Sequence, residues 1–357
     1  MTTNDPQILP GLDLPRFSAW LAGHHPELAG EIRGRVLTGG RSNLTYALQS
    51  GPHRLVLRRP PLGHVMQTAH DMKREFRIQQ ALQGSDVPVP GMHFFHDDSD
   101  GRAGVGSPFY VMDQVAGSAL ETRADNAAHG PGELHELSIE MAKCLAKLHE
   151  VDPAAVGLAD FGRPEGYLER QVSRWSRQLE ASSSRQLPEL ERLAQRLRTV
   201  PATGQVSLLH GDFKLNNALV SREAGTLRVA AVLDWEMSTI GDSLADLALF
   251  GLYWQMPYLD PIIGEVFESP VDHAAGYPKF SELVTAYSTV RGIPEPDLTW
   301  YLGFSAFKTA VITESIHYRF QSGATVGEGF ERIGELTLPL ARAGHLFLDD
   351  TTAAGGR

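Results

Sequence analysis

An α+β protein of two lobes, a small antiparallel β-rich N-lobe and a larger, mainly helical C-lobe, is the fold class that this sequence predicts. Three observations predict it. Short β-type runs divided by Gly or Gly-Pro turns fill residues 31–61 and return at 87–117. Helical spacing dominates after residue 117. The exception is 206–236, where two or three short strands flank a polar turn, "HGDFKLNN".

Each element follows in order. "MTTNDPQILPGLDLPRF" lacks the zones of a secretory signal and predicts a short disordered lead-in. Leu14, Phe17, Trp20 and Leu21 then mark an amphipathic helix within 12–29. "EIRGRVLTGGRSNLTYALQSGPHRLVLRRPP" predicts antiparallel hairpins. "MQTAHDMKREFRIQQALQG" has helical spacing with Gly84 as its stop. A strand, an Asp- and Gly-rich loop and a second strand ending near Gly117 come next. Helices are expected at about 132–150, 166–181, 187–199, 242–255, 272–290, 295–320 and 326–347, with a hairpin turning at Ala224-Gly225. The tail "DDTTAAGGR" is small and polar, which predicts disorder over 348–357. The expected division is 1–29 for the lead-in and first helix, 30–115 for the N-lobe and 116–347 for the C-lobe. Lobes joined near 113–118 would leave a cleft, where ligand sites concentrate.

Composition narrows the function. With 43 acidic against 32 basic residues the net charge is -11, so nucleic acid, which needs a basic footprint, is not an expected partner. No apolar run reaches the ~18 residues of a membrane span. The single cysteine, Cys144, falls in a helical pattern and reads as core filler. A reducing cytoplasm is the expected compartment.

The chemistry concentrates in two stretches, "SLLHGDFKLNNALV" and "VAAVLDWEMSTIGDSLAD". Asp212 stands five residues before Asn217, the Asp-to-Asn spacing of the kinase loop H-R-D-x-x-x-x-N. Phosphoryl transfer needs a carboxylate to orient the attacking hydroxyl and oxygen ligands for Mg²⁺, and a loop leaving a strand supplies both. Asp234 follows the apolar run "VAAVL", where a carboxylate is costly to bury without a cation. Of Asp242 and Asp246, which begin a helix, one reads as its N-cap and the other as an anchor beneath the 210–217 loop.

With these motifs in view, the chain resembles the aminoglycoside phosphotransferase family, enzymes of two-lobed protein-kinase-like fold. It is most similar to the branch containing the kinase-like domains of acyl-CoA dehydrogenase fusion proteins. "LTGGRSNLTYAL", "LVLRRPPLG", "KREFRIQQAL", "PFYVMDQVAG" and "LAKLH" extend the resemblance over about 30–320.

The resemblance implies that Asp212 is the catalytic base and that Asn217 and Asp234 are the Mg²⁺ ligands. His210 would hold the loop presenting Asp212, or less in keeping with the family act as the base itself. Lys214 either touches the transferred phosphate or is a solvated loop lysine. In the N-lobe, "GGRSN" would turn over the phosphates, Gly39 and Gly40 permitting close approach and Ser42 and Asn43 offering polar contacts. Arg58 stands where kinases carry a lysine, and Glu75 matches the glutamate that pairs with it. Met112 would lie beside the adenine, with backbone groups of Asp113 and Val115 binding its edge. The implied activity is ATP-dependent (GTP possible) transfer of the γ-phosphate to a hydroxyl of a small molecule. A hydroxyacyl-CoA or another metabolite is favoured over an antibiotic as acceptor. The alternative is a nucleotide-binding pseudokinase acting as scaffold or sensor, suggested by Arg58 and by "DWE". "HGD" in place of H-R-D, without a following A-P-E, argues against a protein substrate.

Overall fold

A computed structural model describes residues 9–37, 43–62, 71–182, 185–323 and 329–349. The chain divides into two compact units, 1–116 with 234–236, and 117–233 with 237–357. The first unit is built on an antiparallel sheet of β1 (Ile32–Val36), β2 (Leu44–Ser50), β3 (His53–Arg59), β4 (Met92–Asp97) and β5 (Pro108–Asp113), in the order β1-β2-β3-β5-β4. Its two faces follow from the period of two in a strand. Leu55, Leu57, Phe109 and Val111 pack against Phe17 and Leu21 of α1 (Leu14–His24), while Val56, Tyr110 and Met112 pack with Met72 and Phe76 of α2 (Met72–Leu82).

Both helices begin as their sequences direct. The Asp13 carboxylate accepts the Arg16 N–H with Pro15 in the first turn, and Asp71 accepts the Arg74 N–H. The helix read within 12–29 ends at His24 and gives way to a 3₁₀ turn at Pro26–Leu28. Asp98, fully buried in the Asp- and Gly-rich loop, accepts N–H bonds from Ala103, Val105 and Gly106. Burial pushes its pKa up, but these three amides outweigh it and hold the carboxyl below its usual value.

The second unit holds α3 (Pro131–Glu150), α4 (Tyr167–Ser182), α5 (Pro188–Arg196), α6 (Ser243–Leu259), α7 (Pro261–Val266), α8 (Phe280–Arg291), α9 (Thr299–Gln321) and α10 (Thr337–Asp349). Its core joins Trp175 and Leu179 of α4, Leu190 and Leu193 of α5, Leu252 of α6, Phe307 and Val311 of α9 and Leu340 of α10. Cys144 is buried on α3, where burial pushes its thiol up to about 12. Two small antiparallel ladders complete the unit, β6 (Val206–Leu209) with β9 (Thr239–Asp242) and β7 (Ala218–Glu223) with β8 (Thr226–Val232). The β7–β8 turn falls on Ala224 and Gly225, both at positive φ, as its residues predict. Gly117 crosses so close to β7 that a Cβ there would stand 2.7 Å from the Val220 carbonyl oxygen.

Several boundaries differ from expectation. The helix expected over 272–290 is a 3₁₀ turn at His273–Ala275 followed by α8, because Pro278 lacks the N–H that a continuous helix needs. The helix at 242–255 runs on to Leu259 with Pro257 inside it. The last helix begins at Thr337 and reaches Asp349, so 348–349 belong to it rather than to a tail; 324–328 and 350–357 lie outside the described residues, as does the lead-in 1–8. Residues 234–236, expected with the C-lobe, group with the first unit. Among the described residues no helix is long and apolar enough to cross a membrane.

Phe17 is fully buried and meets the Phe109 ring edge-on at 5.9 Å. Phe17→Ala should cost about 3–5 kcal/mol of unfolding free energy, measured by urea titration. An unshifted midpoint would show that α1 is not part of the core.

Candidate functional site

Strand parity decides what the paired arginines of β3 do. Arg58 shares a face with Val56 and so meets α2, whereas Arg59 points to the α1 side and binds the carbonyls of Gly11 (2.6 Å) and Val105 (2.7 Å). Arg58 Nε lies 3.3 Å from Glu75 Oε2, and its Nη2 donates to Asp234 Oδ1 at 3.0 Å. The first contact is a charge pairing outside hydrogen-bond geometry, and the second is a true hydrogen bond. Glu75 also accepts from the Tyr110 hydroxyl (3.0 Å) and from Asn43 Nδ2 (3.1 Å). Burial raises the pKa of Glu75 against the opposing pull of Arg58 and Tyr110. Asp234 adopts φ 66°, a left-handed conformation rare for a non-glycine residue.

Asn43 corrects an expectation. It is buried and its Nδ2 donates to Glu75, so that nitrogen is not offered to a phosphate. Gly39, Gly40 and Ser42 lie outside the described residues. Met112 is buried among Val56, Met72 and Tyr110. The Asp113 N–H donates to the Gly91 carbonyl (2.8 Å) and its carboxylate accepts from His93 (2.8 Å). Val115 is half-buried.

The loop leaving β6 is arranged around a buried carboxylate. Asp246 of α6 accepts N–H bonds from His210 (2.7 Å) and Gly211 (2.9 Å), and His149 Nε2 lies 3.3 Å from its Oδ2. Asp242 caps the same helix through the Leu244 N–H and also accepts from Gly204 and Tyr301. The two aspartates therefore divide the work of cap and anchor as their positions suggest. His210 is fully buried; its Nε2 reaches the Leu233 carbonyl (2.9 Å) and its Nδ1 accepts the Asp212 N–H (3.3 Å). Both ring nitrogens thus serve the backbone, so His210 acts as a positioning residue of the loop that presents Asp212, rather than as a base.

Asp212 is presented with its side chain 21% exposed. Its Oδ2 accepts from Lys214 Nζ (2.8 Å) and Asn217 Nδ2 (3.1 Å), while Oδ1 accepts from the Tyr253 hydroxyl (2.7 Å). Burial raises the carboxyl pKa, but Lys214, the Tyr253 hydroxyl and His210 prevail and hold it below the usual value. Lys214, left open between a phosphate contact and a solvated lysine, is here paired with Asp212 and lies over the Tyr253 ring at 5.1 Å. Asn217 also donates to the Asp212 carbonyl (2.8 Å) and accepts the Leu233 N–H (2.7 Å), which ties the loop to the residue preceding Asp234.

Two residues here escape sequence reading. Tyr253 of α6 is one aromatic among several in "FGLYWQMPYLD", and nothing in that run distinguishes it. Lys308 of α9 lies nearly a hundred positions from the loop, yet its Nζ donates to the Gly211 carbonyl at 3.3 Å. Burial holds its pKa below the ordinary lysine value despite Asp212 and Asp246.

Comparison with known proteins follows the same lines. A family model described as the phosphotransferase enzyme family (APH) matches residues 33–283. The chain belongs to the APH phosphotransferase family. Among curated relatives, acyl-CoA dehydrogenase family member 11 of Gallus gallus is 34% identical over 91% of this chain and 41% of its own length, so this phosphotransferase-family chain spans about two fifths of that relative. Among solved structures, a Ralstonia eutropha protein of provisional aminoglycoside phosphotransferase assignment superposes with a TM-score of 0.80 at 29% identity, covering 94% of this chain and 98% of that one. The GDP and kanamycin complex of an aminoglycoside phosphotransferase shares the fold at a TM-score of 0.60 and 18% identity, covering 90% and 97%.

Two outcomes follow for an APH loop built this way. Gly211 has φ 83°, and a Cβ would stand 2.5 Å from the Met237 carbonyl oxygen. Gly211→Ala should therefore cost at least about 1–2 kcal/mol and lower the thermal midpoint; an unchanged midpoint would refute the close approach. His149 is kept neutral chiefly by burial, with Asp246 pulling the other way and Tyr287 hydrogen-bonded to Nδ1. Its folded pKa lies below the unfolded value of about 6.5, so its contribution is present above pH ~6.5 and is lost on acidification. Urea unfolding between pH 7.5 and 5.5 should show stability falling by up to about 1.4 kcal/mol per pH unit, with a flatter dependence in His149→Gln.

Proposed function

We propose that this chain is a small-molecule kinase that moves the γ-phosphoryl group of ATP, or of GTP, to a hydroxyl of a metabolite. The observation that carries this reading is Asp212, a carboxylate presented by a loop that a buried aspartate holds from below and surrounded by donors to both of its oxygens. In this role Asp212 orients the acceptor hydroxyl and takes its proton as the new O–P bond forms and the bond to the nucleoside diphosphate breaks. Lys214 offsets charge on the transferred group. Arg58, held by Glu75, grips phosphate oxygens, and the Asp113 carbonyl and Val115 receive the adenine edge beside Met112.

The donor set suits Mg²⁺. Asn217 commits its Nδ2 to Asp212, which leaves the amide oxygen as its ligand end, and Asp234 is a partly exposed carboxylate (30%). Among the described residues no group of three or more His, Cys, Asp or Glu is poised for a metal. Bound there, Mg²⁺ would neutralise charge on the phosphates.

Relatives named as acyl-CoA dehydrogenases support a hydroxyacyl thioester as acceptor. The surroundings of Asp212 point away from polyamines: Lys214 and Lys308 stand beside it, and cations repel cations. A pseudokinase scaffold is the second reading, favoured by the Arg58–Asp234 hydrogen bond, which occupies a proposed metal ligand. Nucleotide binding without turnover would support it.

A screen of hydroxyacyl-CoAs, hydroxylated metabolites and aminoglycosides with labelled ATP tests the proposal. Asp212→Asn should lower turnover by about 10²–10⁴-fold while nucleotide affinity stays within a few-fold. Equal turnover in the variant would remove Asp212 from the role of base.

A further inference from the structure

The Tyr253 hydroxyl sits where an acceptor hydroxyl must sit. A phosphoryl acceptor has to place an O–H within about 2.6–3.2 Å of the base, and the Tyr253 phenol already donates to Asp212 Oδ1 at 2.7 Å. The other carboxylate oxygen is taken by Lys214 and Asn217, so Oδ1 is the oxygen left for the incoming alcohol. Tyr253 is partly exposed, and its ring stacks on Phe267 at 6.1 Å with an interplanar angle of 6°, while Lys214 caps it by a cation–π contact. Exchanging one neutral hydroxyl for another conserves the hydrogen bond to Oδ1, whereas displacing Lys214 would expose a charge.

Resting on the kinase reading above, we propose that Tyr253 is a placeholder for the acceptor. Its phenol occupies the acceptor-hydroxyl subsite on Asp212 Oδ1, and the acceptor gains access by displacing it. The phenol also keeps water off the base. Water is the smallest competing acceptor, and a carboxylate oxygen already engaged by a phenol does not orient a water for attack on the nucleotide. The subsite is thereby reserved for alcohols whose remaining contacts can move the tyrosine. Phe267 and the Tyr253 ring form the apolar wall against which the carbon chain of such an alcohol packs. Tyr253 is accordingly a positioning and specificity residue and takes no part in bond making.

The test uses water as the probe acceptor. Wild type, Tyr253→Phe, Asp212→Asn and the double variant are assayed for Mg²⁺-dependent ATP hydrolysis without added alcohol. Removing one oxygen atom leaves room for a water on Oδ1, so Tyr253→Phe should hydrolyse ATP severalfold faster than wild type, with unchanged nucleotide affinity and thermal midpoint. The gain should vanish in the double variant. In Tyr253→Ala, added p-cresol, the tyrosine side chain as a free molecule, should suppress the hydrolysis again. A merely structural tyrosine would predict a loss of turnover and no such suppression. Wild-type turnover that is unchanged or lowered in Tyr253→Phe overturns the placeholder assignment alone, as does a gain that survives Asp212→Asn. No turnover in any variant overturns both this assignment and the kinase reading.

Discussion

A carboxylate sealed inside a protein must find donors for its lone pairs, and Asp246 finds them in the backbone of the loop it supports. The N–H groups of His210 and Gly211 and the ring of His149 converge on it. That requirement sets the path of the chain leaving β6. It places Gly211 at a positive φ against the Met237 backbone and turns the His210 ring onto the backbone of Asp212 and Leu233. Asp212 then leaves the loop at one position and direction, with Asn217 closing the turn behind it. Loosening Asp246 would release each of these in turn.

The first unit solves a similar problem with a cation. Glu75 is nearly inaccessible, yet it is satisfied by Tyr110 and Asn43 and charge-balanced by Arg58. A buried pair of this kind is weak evidence for stability, since desolvation offsets much of the attraction. Its consequence is orientation: the guanidinium is held flat between Glu75 and Asp234. An arginine offers a planar set of donors where a lysine offers a point charge, so the substitution changes geometry while keeping charge.

Much of this was legible from residue types and spacing. Asp212 and Asn217 stand out by the spacing between them, and Asp234 because a carboxylate directly after an apolar run is costly to bury without a cation. Asp242 and Asp246 were recognisable as cap and anchor from their place at a helix start. Arg58 was picked out by its place in the strand run, whereas the separate task of Arg59 appeared only once the strand was paired into the sheet. The Gly-rich turn beside Asn43 suggested phosphate contact, whereas its Nδ2 is bonded to Glu75, a partner 32 residues away that local pattern does not reveal. For His210 the loop-holding reading stood beside a lesser one as base, and only the structure shows that both its nitrogens are occupied.

The sequence by itself determined the α+β class, the order of the strands and helices, and the identity of the polar residues in the 207–220 and 229–246 stretches. Local pattern sufficed there, because pairing, capping and turn formation act over a few residues. Only the tertiary structure decided that Tyr253, among the many aromatics of α6, meets Asp212, and that Lys308 reaches Gly211 from α9. Helical periodicity names the face a side chain occupies, but not which distant loop will be packed against that face. That choice is made by the whole core at once.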